Sequence, residues 1–382
     1  YVETEINDMV LERDYSITEY LYVIGGLGEF IPRVGPQIMG DVWRTPDGIN
    51  WDQLVVDGGA PWGRRHSHGV IAFDGYLWII AGHEAGADQY MADVWKSADG
   101  IEWTRATEEI APGFAPRIRP YVYQYGDRIY VYGGMLESDA PVFDLWSSAD
   151  GVTWVEEFTS NESELPGTLV EPFNPILRTR GKLYLVNGYL TTATPLLSST
   201  ELFGDITLED AFAIPGYGMT NSGGYVTPDG GPAYLIGGLN TYFASTPSDV
   251  FPPVVFELNT EGDGFDLLTD EAPFPGRAFP NLVDLNGRIL YIGGSDGEID
   301  TGRNAEIWAS EAGFPSDPDA WELIGTMPFG RRVTQMIVHL AELVPVICYC
   351  DCPPLLFSGP TGALTLKADS GQYAASVLKP GA

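Results

Sequence analysis

One pattern returns along this chain at a nearly fixed pitch, and it limits what the chain can fold into. An apolar run ending in a pair of small residues begins at Tyr20 (YLYVIGG), Tyr76 (YLWIIAG), Arg128 (RIYVYGG), Lys182 (KLYLVNG), Pro232 (PAYLIGG) and Arg288 (RILYIGG), successive starts lying 50 to 56 residues apart. Three of these runs precede a second conserved-looking stretch: DVWRTPDGINW from Asp41, DVWKSADGIEW from Asp93 and DLWSSADGVTW from Asp144. Alternating apolar and polar residues broken by Asp-Gly mark two strands joined by a turn. Self-similarity at about fifty residues marks a repeat array, read as such before any residue is read as chemistry.

Before each small-pair run except the first lies another strand-like segment: 66–73, 118–125, 172–179, 222–227 and 278–285. Each unit thus reads as four strands, A to D, with the small pair at the end of B and the Asp-Gly turn between C and D. Such a unit cannot bury both faces alone, so a closed ring of units supplies the core. The first unit lacks strand A. The segment 327–342, MPFGRRVTQMIVHLAE, aligns with 60–75, APWGRRHSHGVIAFDG, and is expected to supply it and close the ring. The expectation is an all-β chain: a six-bladed β-propeller over 18–342 closed by a C-terminal strand, an N-terminal extension over 1–17, and a short β-rich tail or docking segment over 343–382. Units four and five lack the Trp-bearing hairpin, and Phe203, Phe256 and Phe265 are the expected stand-ins.

These residues resemble the kelch-repeat family over about Tyr20 to Leu340. The resemblance rests on Gly25-Gly26, Gly133-Gly134, Gly237-Gly238 and Gly293-Gly294, with Ala81-Gly82 and Asn187-Gly188 as departures, and on the downstream Trp residues. It implies a propeller, while function stays open: protein-binding platforms, sugar mutarotases and copper oxidases share this architecture. The copper-oxidase chemistry implied for some relatives needs a Cys within the propeller, and Cys348, Cys350 and Cys352 all lie beyond it. The C–D turns also look like the Asp-box of sialidases, a structural motif, so Asp47, Asp99 and Asp150 are read as turn formers and no sialidase activity follows. In the tail, LTLKADSGQYAASV from Leu364 looks like a segment of tailed-bacteriophage structural proteins.

The chain carries 20 Lys and Arg against 53 Asp and Glu, a formal charge of −33. A field of that sign repels phosphate backbones and anionic membrane surfaces, so neither nucleic acid nor membrane insertion is expected. No run of eighteen apolar residues is present.

The short A–B and C–D turns fall at one end of the strands, which leaves the long B–C loops and the segments before strand A at the other, where recognition usually resides. At the start of strand A one register repeats a cation: Arg65, Arg117 and Arg277, with Arg332 in the closing segment. Two readings stand. These guanidinium groups bind an anionic ligand at the channel mouth, or each pairs with a loop carboxylate or carbonyl and braces neighbouring blades. His66, His68 and His83 cluster near the same mouth, but no matching carboxylate completes a metal site. The candidate ligand-binding residues are accordingly Arg65, His66, His83, Arg117, Arg277 and Arg332, with no catalytic residue, metal or cofactor expected.

The expected function is non-catalytic recognition of a protein or glycan on the long-loop face, in a virion or other extracellular assembly, with the tail docking to assembly subunits. The alternative is a sugar-acting enzyme resembling kelch-type mutarotases, using Arg65, Arg117 and His66 or Glu84. A third reading is a structural virion subunit.

Overall fold

In a computed structural model, the described residues are 17–31, 35–107, 113–138, 140–159, 175–186, 194–200, 207–212, 219–220, 222–227, 231–240, 251–295, 305–310, 317–328, 336–343, 363–369 and 372–378. Nearly every element is a β-strand, and every pairing with a described register is antiparallel. The chain divides into one compact unit over Tyr20–His339 and a second made of Tyr1–Glu19 with Leu340–Ala382.

The expected ring of six equivalent blades is corrected. Five antiparallel blades are self-contained, each built from one run of chain: Arg65–Arg105, Tyr121–Thr159, Ile176–Phe212, Gly223–Thr269 and Asn281–Thr326, called here the first to fifth blades; within the fourth, Leu239–Asn240 pairs instead with Met219–Thr220. The sheet near the N-terminus is of another kind. Its own run of chain provides only Ile17–Ile31, Gly35–Thr45 and Asp52–Val55, and its remaining strand is Met336–Leu343, drawn from far along the sequence. Met336–Leu343 lies in the 327–342 segment expected to lend this strand, so the sheet is composite, held by a distant part of the chain, and is not a sixth self-contained blade.

Packing is between neighbouring sheets. Tyr22, Ile24 and Val42 of the N-terminal sheet share a core with Val70, Leu77 and Ile79 of the first blade. The sequence continues from blade to blade, through Trp78 with Ile129 and Trp154, Tyr130 with Leu183, Tyr184 with Phe256, and Tyr234 with Tyr291. Leu290 and Ile307 of the fifth blade then pack on Leu21 and Val23 of the N-terminal sheet. Truncating a buried aromatic such as Trp78 in one of these layers costs about 3–5 kcal/mol. Phe256 and Phe265 sit in the core of the fourth blade, as expected of stand-ins for the missing Trp. Phe203 lies outside the described residues.

Two backbone features recur. The small pair at the end of strand B turns in the left-handed region, as at Gly133 (φ 62°) and Gly134 (φ 106°), which favours glycine. In the first blade Ala81 takes that conformation at φ 60°. The second feature is a kink in strand A two residues after its arginine, at Ser67, Arg119 and Phe279, with φ of 54°, 53° and 56°. It divides strand A of the first blade into Arg65–His66 and Gly69–Phe73, both paired with Tyr76–Glu84.

The C–D connections are longer than the two-residue turns expected of Asp-Gly. In the first blade the last paired residues are Lys96 and Thr104, and in the second Ser147 and Val155. In the second unit, Ala363–Asp369 and Gln372–Leu378 form an antiparallel hairpin closing at Asp369 opposite Gln372. Cys348, Cys350 and Cys352 lie outside the described residues.

Candidate functional site

Strand A delivers its arginine to the interior of its own blade. Arg65 is 1% exposed, and Arg117 and Arg277 are 0%. Arg65 donates through Nη1 to Asp93 Oδ1 at 2.6 Å and through Nη2 to Oδ2 at 3.0 Å, and it also reaches the carbonyls of Ala81 (3.0 Å) and Trp62 (2.9 Å). Arg117 repeats the fork on Asp144 at 2.5 and 2.8 Å and donates to the Gly133 carbonyl at 3.0 Å. Arg277 bonds Glu306 Oε2 at 3.2 Å, the Glu306 carbonyl at 3.0 Å and the Gly293 carbonyl at 3.2 Å.

Asp144 and Glu306 open strand C and Asp93 lies within it, in Gln89–Ser97, and each acid also accepts the indole N–H of the Trp two residues later. The distances are 2.8 Å for Trp95 on Asp93, 2.9 Å for Trp146 on Asp144 and 3.0 Å for Trp308 on Glu306. One guanidinium thus ties the start of strand A, the small pair of strand B and the acid of strand C, with a Trp fixing the acid. A forked, charge-assisted pair out of water is geometrically demanding, and it keeps the three strand ends in register. Burial alone would raise the Asp93 carboxyl, but Arg65 and the Trp95 indole N–H outweigh it and hold the group below its ordinary range.

The Asp-Gly turns form a second repeated device. Asp99 Oδ1 accepts the backbone N–H of Ile101 (2.8 Å) and Glu102 (3.0 Å) and the Ser97 hydroxyl (3.0 Å), while Ser97 Oγ accepts Gly100 N–H at 2.8 Å. Asp47 and Asp150 do the same with Thr45 and Ser148. Partial burial pushes these carboxyls up, and the converging hydrogen bonds more than reverse it, so all three titrate below the usual range. Trp103 returns its indole N–H to the Gly100 carbonyl at 3.0 Å. The structural role expected of these aspartates is the one their bonds describe.

On the opposite end, in the first blade, a polar chain runs over the long-loop face. Ser67 Oγ lies 2.9 Å from His66 Nδ1, His66 Nε2 lies 3.0 Å from His83 Nδ1, and His83 Nε2 lies 3.1 Å from Asp88 Oδ1. The His83 ring stands edge-on to Tyr90, with centroids 5.4 Å apart. Beyond Tyr90 opens a groove of about 460 Å³ between the first and second blades, lined among others by Tyr90, Met91, Pro116, Leu136 and Glu137. Glu137 Oε1 accepts the Tyr90 backbone N–H at 3.1 Å and so links the two loops across the groove. His68, by contrast, is buried; desolvation, with Arg65 and His66 nearby, pushes its pKa down to about 3 and keeps it neutral.

No family model matches the chain. Two curated relatives do, both named Kelch domain-containing protein 3, from Rattus norvegicus and from Mus musculus; each is 32% identical over 94 residues. The matched stretch spans 24% of this chain and 24% of each relative. The repeated small pairs and the stacked antiparallel sheets agree with this partial similarity. The Tyr20–His339 unit has a propeller-like sheet arrangement that resembles the kelch type.

In this kelch-like scaffold the candidate residues separate. His66 and His83 come together on the loop face, while Arg65, Arg117 and Arg277 each stay inside their own blade. Arg332 lies outside the described residues. Among the described residues no group of three His, Cys, Asp or Glu is placed to hold a metal ion, and no helix is long and apolar enough to cross a membrane. Sequence reasoning missed the acid partners Asp93, Asp144 and Glu306, although their signal was present: an acid two residues before each strand-C Trp. It also missed the groove, whose walls come from three separated segments, Gln89–Ala92 at the start of strand C of the first blade and the loop residues 115–116 and 136–138.

Proposed function

We propose that this kelch-like propeller is a non-catalytic recognition module that engages a protein or glycan through its long-loop face. The observation that carries the reading is the open groove of about 460 Å³ between the B–C loops of the first and second blades, within the size range of ligand sites. The mutarotase-like alternative draws less support. Of its residues, Arg65 and Arg117 are buried in ion pairs, and Glu84 caps a turn by accepting the Gly86 and Ala87 N–H groups at 2.9 and 2.6 Å.

The formal charge of −33 supports a partner other than nucleic acid or an anionic membrane. The tail hairpin over Ala363–Leu378 and its resemblance to phage structural segments support a docking role in a virion or other extracellular assembly. A binding screen of the full chain against glycans and candidate assembly proteins, run beside an assay of sugar anomer exchange, tests the reading. Capture without exchange is the expected result, and anomer exchange abolished by His66→Ala overturns it.

A further inference from the structure

We infer that the groove between the first and second blades receives a lysine or arginine side chain of a protein partner, an inference that rests on the recognition reading above. The groove combines two properties that one side-chain class satisfies together. Its walls include Met91, Pro116 and Leu136, which favour an apolar stem, and one carboxylate, Glu137, stands among them. A long aliphatic stem carrying a terminal cation matches both.

The carboxylate is placed rather than loose. Glu137 accepts the Tyr90 N–H through Oε1, which fixes the carboxylate at the groove while Oε2 remains at an exposed position. Tyr90, whose ring stands T-shaped to His83, also lines the groove and adds an aromatic ring, a type of group that attracts cations. Asp88, whose side chain is 90% exposed, adds a second negative charge two residues before Tyr90. The charge of −33 over the whole chain raises the local concentration of cationic segments and speeds their encounter. An acidic or purely apolar segment would be opposed by the first of these features or would leave Glu137 without its counter-charge.

The test uses the full-length chain and a random peptide library displayed on yeast. Enriched peptides are synthesised with a fluorophore and titrated by anisotropy against the native chain and three variants. Glu137→Gln keeps an oxygen for the Tyr90 N–H but removes the charge, Met91→Trp fills the groove, and Glu322→Gln removes one charge from the outer strand of the fifth blade. The expected result is enrichment of Lys or Arg, at least about tenfold weaker binding by Glu137→Gln and Met91→Trp, and unchanged binding by Glu322→Gln. Three results overturn the inference: no enrichment, enriched peptides without a basic residue, or equal losses in Glu137→Gln and Glu322→Gln. If peptides bind but only loop substitutions outside the groove weaken them, recognition stands and the groove assignment falls. If neither peptides nor the binding screen yields a partner, both fall.

Discussion

Arg65 and Asp93 stand 28 positions apart in sequence and meet in a two-pronged ion pair at 2.6 and 3.0 Å, both side chains almost wholly out of water. The pair, its neighbouring carbonyls and the Trp95 indole form one unit, so removing one partner strands a charge in the interior. Asp93→Ala is expected to cost about 3–5 kcal/mol, whereas the double variant Arg65→Met, Asp93→Leu is expected to be much milder because no charge is left uncompensated. Urea unfolding of Arg65→Met, of Asp93→Leu and of the double variant measures the coupling.

The aspartate turns predict a shared acid response. Asp47, Asp99 and Asp150 titrate lower in the folded chain than in the unfolded one, so their stabilisation is present above the ordinary carboxyl pKa of 3.8 and is lost as pH falls through their folded values. Asp99→Ala is expected to lose about 1–2 kcal/mol near neutrality. Its deficit should shrink at acid pH, which thermal unfolding across a pH series reads directly.

His68 gives a titration of the opposite ionic type. Its buried ring stays neutral down to about pH 3, while the unfolded ring takes a proton near 6.5. The unfolded state therefore binds more protons in that window. Stability from this group is full above 6.5 and falls as pH drops toward 3. His68→Gln should flatten the slope between those limits in urea unfolding at stepped pH.

Gly82 combines a φ of 100° with a close neighbour, since an added Cβ would meet His68 Cβ at 2.6 Å. Gly82→Ala is expected to destabilise by about 1–3 kcal/mol through the backbone conformation, with the clash added to it. Gly75→Ala shares a positive φ of 74° but meets nothing within 4 Å, so the difference between the two variants isolates the clash.

How much of this was legible in the sequence depends on the range over which each signal acts. The small pairs and the Asp-Gly turns are local, and glycine and aspartate occur there because the backbone needs a left-handed turn or a bonded N–H; reading them as strand ends and turns required no tertiary knowledge. The partner of Arg65 is not local. Register alone brings Asp93 to it, so the arginines were legible as a repeat and bracing as one of two readings, but the acid each one meets, and its place in the same blade, were not. The kink at Ser67, Arg119 and Phe279 left no trace because three unlike side chains adopt it. The strand lent to the N-terminal sheet was legible, since 327–342 aligns with the strand-A segment 60–75; the count of self-contained blades was not. The groove was invisible for a related reason: its walls converge from a strand end and two loops that are separated in sequence.

The most direct measurement is the unfolding free energy of Arg117→Ala, taken with its binding to whatever partner the screen captures. The account predicts a loss of about 3–5 kcal/mol, because Asp144 loses its buried counter-charge, and it predicts that the protein remaining folded still binds. Unchanged stability together with abolished binding would contradict it, since the arginine would then belong to the ligand and not to the blade.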